Sequence, residues 1–156
     1  MFGRRTRTAP FWRRSPVRTR DLDEIYRYGI SSIHHRDGAG MLQVGWALWD
    51  AVGLSQRHAV SFLLDGFAEW GQVADVTEQQ AFLEEVFERA AAEVGPDSAM
   101  DGDLAVTVCW SGMRLVDLAR LTGDDDQACV TRLLDALEDI PRTLWTPEAL
   151  AVLRRR

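Results

Sequence analysis

The stretch that most constrains the fold is residues 41–70, MLQVGWALWDAVGLSQRHAVSFLLDGFAEW, which holds three of the six tryptophans. Between Met41 and Val52 the only strongly polar side chains are Gln43 and Asp50. Leu42, Trp46 and Trp49 form one apolar stripe, and Met41, Leu48 and Val52 form another beside it. A helix apolar on nearly every side must be buried among neighbours, because a surface helix shows a single apolar face. These twelve residues are too few to span a bilayer, which takes ~20. Gly53 stops the helix, and Ser55 can cap the next one. That second helix carries Val60, Leu63, Leu64, Phe67 and Trp70 at spacings of three and four, with Arg57, Ser61, Asp65 and Glu69 opposite. The short link makes residues 41–52 its natural partner.

The rest of the chain reads as further helices. Asp21 caps a helix over residues 21–35, in which Leu22, Ile25, Tyr26, Gly29 and Ile33 form a broken apolar face, and residues 37–40 (DGAG) read as a loop. Thr77 and Gln80 form a capping-box pattern opening residues 77–94. There Phe82, Leu83, Val86, Phe87 and Ala90 turn inward, while Glu84, Glu85, Glu88 and Arg89 turn outward. Residues 95–102 (GPDSAMDG) are a link and a candidate subdivision. Residues 104–110 (LAVTVCW) have strand-like β-branched content, yet the run continues through Met113, Val116 and Ala119 in helical period, and no second strand exists to pair with it. A helix over 103–121, closed by Gly123, is therefore expected. Asp124, Asp125 and Asp126 open residues 127–140, and Pro141 ends them. Thr146-Pro147 starts a last helix. The expectation is an all-α fold: one helical domain of six to seven helices, residues 21–153, with an extended Arg-rich arm at 1–20 and a basic tail at 154–156.

Charge is distributed unevenly. All 18 basic residues are Arg. Residues 1–20 carry +7, residues 21–153 set eight Arg against 24 acids for −16, and residues 154–156 carry +3. A basic arm on an acidic body can reach a polyanion or the acidic face of another copy. Within the arm, Phe11–Trp12 stands between arginine clusters. The pair either anchors in a groove of a partner or packs on the chain's own body. A twin-arginine leader does not fit, because residues 16–24 are polar where an apolar region is required. Cys109 and Cys129 read as buried free thiols, which suits a cytoplasmic protein.

Two local patterns resemble known families. Residues 115–134 (LVDLARLTGDDDQACVTRLL) set Ala119 four positions before Gly123 and run on into Val130-Thr131-Arg132-Leu133. The stretch resembles a helix-turn-helix. The resemblance implies that Gln127, Ala128, Thr131 and Arg132 face the major groove. The turn is one residue too long for that family, and three aspartates stand where phosphate would dock. Glu84-Glu85-x-x-Glu88 resembles the first half of the magnesium signature of all-α nucleoside triphosphate pyrophosphohydrolases; the second carboxylate pair is missing, which leaves too few oxygen ligands. His34, His35, Asp37 and His58 are the one metal-like set, but adjacent helical histidines diverge by about 100°, so no metal or other cofactor is expected. Asp65 and Glu69, one turn apart beside Trp70, lack a pocket signature.

The reading that follows is a non-enzymatic helical protein-interaction module, of adaptor, assembly or immunity-inhibitor type, with no membrane association. Phe11, Trp12, Arg13, Arg14 and Arg18 would engage a protein partner, another copy included, whose acids correspond to Glu84, Glu85 and Glu88. The alternatives are a DNA-binding regulator using residues 115–134 and the arm, and a metal-dependent all-α nucleotide hydrolase.

Overall fold

A computed structural model describes residues 9–18, 21–54 and 57–155. Most of the arm's arginines (Arg4, Arg5, Arg7 and Arg20), the Ser55 cap and Arg156 lie outside the described residues. The described residues form seven α-helices: α1 (Leu22–His34), α2 (Gly38–Val52), α3 (Arg57–Trp70), α4 (Val76–Glu93), α5 (Gly102–Thr122), α6 (Asp126–Leu137) and α7 (Pro147–Arg154). Two 3-10 turns, Phe11–Arg13 and Arg142–Leu144, complete the secondary structure, and the described residues include no strand. Residues 104–110 are helical within α5, as the period of their continuation requires.

The helix starts follow from side-chain caps. Asp21, Asp37, Asp75, Asp101 and Asp125 each accept a hydrogen bond from a backbone N–H of the first turn they precede, and Thr146 does the same for α7. Two starts differ from expectation. Residues 38–40 are helical and not loop, because the Asp37 carboxylate takes the Gly40 N–H at 3.0 Å and begins α2 a turn early. α4 opens at Val76 under Asp75, whose Oδ1 accepts from the Glu78 N–H at 2.8 Å, so Thr77 lies inside the helix and not at its cap. α6 also stops at Leu137, well before Pro141. Gly123 holds the left-handed conformation, φ 76°, that closes α5.

The chain divides into two compact units between Val73 and Ala74; the link at 95–102 joins α4 to α5 inside the second. In the first unit α2 is the centre and packs against α1, α3 and the Phe11–Arg13 turn. Its Met41, Leu42, Val44, Trp46, Leu48 and Trp49 are all buried, as a helix apolar on every side demands. α2 and α3 approach to backbone distance at glycines. A Cβ on Gly38 would collide with the Trp70 backbone nitrogen, and one on Gly66 would stand 3.0 Å from the Leu42 nitrogen.

In the second unit α5 is the centre and packs against α4, α6, α7 and the Arg142–Leu144 turn. Phe82, Leu83, Val86, Val108, Val116, Leu133 and Leu137 are buried. α7 is tied to α5 by Arg114, whose Nη2 donates to Glu148 Oε2 at 2.7 Å.

Candidate functional site

The root of the arm is fixed to the first unit. Pro10 opens the turn at Phe11–Arg13, and the Arg13 N–H closes it on the Pro10 carbonyl at 3.0 Å. Trp12 is 5% exposed. Its ring meets Trp70 with centroids 6.3 Å apart; Phe11, half-buried, meets Trp12 at 5.3 Å and Trp70 at 5.5 Å. Gln43, one of the two polar residues of α2, donates its Nε2–H to the Phe11 carbonyl at 3.0 Å. Of the two readings left open for Phe11–Trp12, packing on the chain's own body is the one observed. The rings face inward, where a groove on a partner would need them outward. Arg13, Arg14 and Arg18 are exposed.

The acids expected to receive those arginines are otherwise engaged in part. On α4, Glu84 Oε2 lies 2.6 Å from Arg132 Nη1, and Glu88 Oε1 lies 3.3 Å from Nη2. The same guanidinium stacks over Phe87, 4.8 Å from the ring centroid. Arg132, which the helix-turn-helix resemblance would set in a DNA groove, thus clamps α6 to α4. Glu85 is half-buried. Gln127, Ala128 and Thr131 are exposed on α6, with the Ala128 N–H bound to the Asp125 cap. Asp126 at the start of α6 is paired with Arg120 at 2.9 Å.

Some of the remaining sequence candidates take structural roles. Asp37 is a helix cap, and His35 Nδ1 lies 2.8 Å from the Ser31 carbonyl. His58 stacks edge-on to Tyr26 at 5.4 Å. Among the described residues no three His, Cys, Asp or Glu side chains converge as metal ligands. Asp65 is exposed and Glu69 half-buried. Both thiols are free: Cys109 is buried and Cys129 half-buried. Burial pushes the Cys109 thiol above its ordinary pKa, against hydrogen bonding from Thr146 that lowers it. The Cys129 thiol is also raised, by burial first and by the Glu84 carboxylate second.

Two features were not singled out in the sequence. Around the end of α6, Asp135, Glu138, Arg142 and Trp145 line an open depression of about 300 Å³. Trp145 turns its polar edge away, donating its indole N–H to the Ile140 carbonyl at 2.9 Å. On α1, the buried side is Ile25, Gly29 and Ser32, whereas Leu22, Ile30 and Ile33 are 36%, 54% and 52% exposed. The apolar face assigned to this helix is thus split, with Leu22 and Ile33 outward. Spacings of four, four and three along Leu22, Tyr26, Ile30 and Ile33 were the available signal.

The fold and these surfaces define an all-α protein of two helical units. No protein-family model matches the chain, and no match is found among curated proteins or solved structures. Among the described residues no helix is long and apolar enough to cross a membrane.

Proposed function

We propose that this chain is a non-enzymatic protein-interaction module whose basic arm grips an acidic protein surface, including that of another copy. The carrying observation is the stapled arm root. Trp12 and the Gln43 bond fix the arm at one point of the first unit, and Arg14 and Arg18 leave that point exposed. Arginine forks orient on carboxylates in pairs, so a fixed root gives such contacts direction. With Glu84 and Glu88 held by Arg132, exposed acids such as Asp135 and Glu138, around the depression beside Trp145, are what another copy would offer them. Two of the polar clusters that could suggest catalysis have structural work: Glu84 and Glu88 bind Arg132, and Asp37 caps α2. A cytoplasmic setting fits the two free thiols.

Deleting residues 1–20 would remove Trp12 from the core, so charge reversal is the cleaner test. Arg14→Glu/Arg18→Glu is compared with the parent chain by calorimetric titration with a poly-glutamate peptide at 50 and 500 mM NaCl. Salt-sensitive binding that the double reversal abolishes supports the module. Equal binding by both chains, or none by the parent at low salt, overturns it.

A further inference from the structure

We infer that a second copy of this chain docks on the outward face of α1, with the two α1 helices antiparallel across a two-fold axis. The inference deepens the proposed self-association and uses a surface distinct from the arm's arginines.

At about 100° per residue, Leu22, Tyr26, Ile30 and Ile33 fall within a sector of about 80°, flanking the buried Ile25, Gly29 and Ser32. Leu22, Ile30 and Ile33 are 36%, 54% and 52% exposed. Tyr26 is half-buried and braced by His58, so it offers a stiff ring in the middle of the stripe. Apolar side chains scattered singly over a surface need no partner, but four in line on one helix form a seam for another helix.

Charge selects the occupant and its direction. The first turn of α1 is acidic, with Asp21, Asp23 and Glu24, and its end is basic, with His34, His35 and Arg36. One edge of the stripe carries Asp23, Arg27 and His34. In an isologous antiparallel pair each edge meets the same edge of the other copy, run in reverse. Setting Tyr26 opposite Ile30 of the other copy brings Leu22 near Ile33 and Asp23 near His34, twice by symmetry. In a parallel two-fold pair opposite edges meet instead, so Asp23 and His34 would not face each other. The antiparallel arrangement also places the positive start of each helix beside the negative end of the other. The one like-charge meeting is Arg27 with Arg27 near the axis, at a wet rim where long side chains splay and salt screens. A single-helix seam is smaller than the ~800 Å² per partner of a standard interface, so the dimer is weak, in the micromolar range.

The test is sedimentation velocity of the full chain across ~1–200 µM, a range bracketing that affinity. The parent should move from monomer to dimer. Ile30→Arg sits at an exposed position, should keep the parent's thermal melt, and should weaken the dimer by about tenfold or more. Asp23→Arg and His34→Asp should each weaken it several-fold, and the double swap should restore it, which only an antiparallel pairing allows. A parent that stays monomeric, an Ile30→Arg dimer of parental strength, or a double swap no better than the singles overturns the inference. Arg14→Glu/Arg18→Glu run alongside separates the two surfaces: a dimer lost there and intact in Ile30→Arg assigns self-association to the arm.

Discussion

Replacing Trp12 with alanine should detach the arm root without unfolding the second unit. Trp12 is 5% exposed. Burying a tryptophan removes ~150–250 Å² from water, worth roughly 4–6 kcal/mol at ~25 cal/mol/Å². The half-buried Phe11 and the Gln43 bond add about 2–3 kcal/mol. Against this, ordering Pro10 to Arg14 costs about 4–8 kcal/mol, lowered a little because proline's φ is preset. The root is therefore held by only a few kcal/mol. Trp12→Ala removes about 3–5 kcal/mol, enough to make the detached state dominant. Limited trypsin digestion reads this, because Arg13 and Arg14 lie in the anchored segment. Cleavage that waits on opening follows the opening equilibrium, so the rate after Arg13 should rise roughly ten- to hundredfold. The exposed Arg36, between α1 and α2, is the internal control and should be cut at an unchanged rate. An unchanged rate after Arg13 in a folded Trp12→Ala chain would refute the anchor.

Other perturbations have defined signs. Gly38→Ala forces a Cβ against the Trp70 backbone, which cannot step aside, and should lower stability by about 1–3 kcal/mol in a urea melt. Gly102→Ala meets nothing within 4 Å and should raise it by about 0.4–1 kcal/mol. Arg132→Met keeps a side chain over Phe87 but releases Glu84 and Glu88; those groups are partly solvated, so a loss near 1 kcal/mol is expected, shrinking in high salt. For Cys109, burial raises the folded thiol above its ordinary 9.0, so the unfolded chain ionises first as pH climbs. Stability should hold below pH 9.0 and fall above it, and Cys109→Ala should flatten that fall. Maleimide labelling of the native chain should reach the half-buried Cys129 first, and more quickly at higher pH because the thiolate is the nucleophile; the raised pKa keeps it slow near neutral pH.

The fold was legible where a residue type has one physical use. α2 is apolar on all sides and is the centre of its unit. Asp21, Gly123 and Thr146-Pro147 mark ends that the structure keeps. The start of α2 was hidden because Gly38-Ala39-Gly40 has poor helix propensity. These residues are helical because Asp37 caps them at Gly40 and α3 approaches Gly38 at Gly66 and Trp70, so capping and packing outweigh local preference. The start of α4 was hidden because Asp75 and Thr77 can both cap, and nothing local decides between them.

The surfaces were less legible, for a reason visible in two places. Glu84, Glu88 and Arg132 each read correctly as outward polar residues. Their pairing joins positions 44 apart in the chain for Glu88, which helical period cannot show. On α1 the failure is subtler. Hydrophobicity alone would bury Ile30 and Ile33 and leave Ser32 in water. The structure does the reverse because α3 presents Phe62 to α1, and only a glycine accepts it: a Cβ on Gly29 would lie 2.5 Å from Phe62 Cζ and 3.0 Å from Val44. Turning Gly29 inward turns Ser32 with it, and Ser32 satisfies its hydroxyl on the Tyr28 carbonyl at 2.9 Å. The isoleucines are then carried outward by the same rotation. Fit around one aromatic ring, and not the count of apolar atoms, decides which side of α1 is the inside. The hydrophobic free energy left on the other side is what a second surface would gain by covering it.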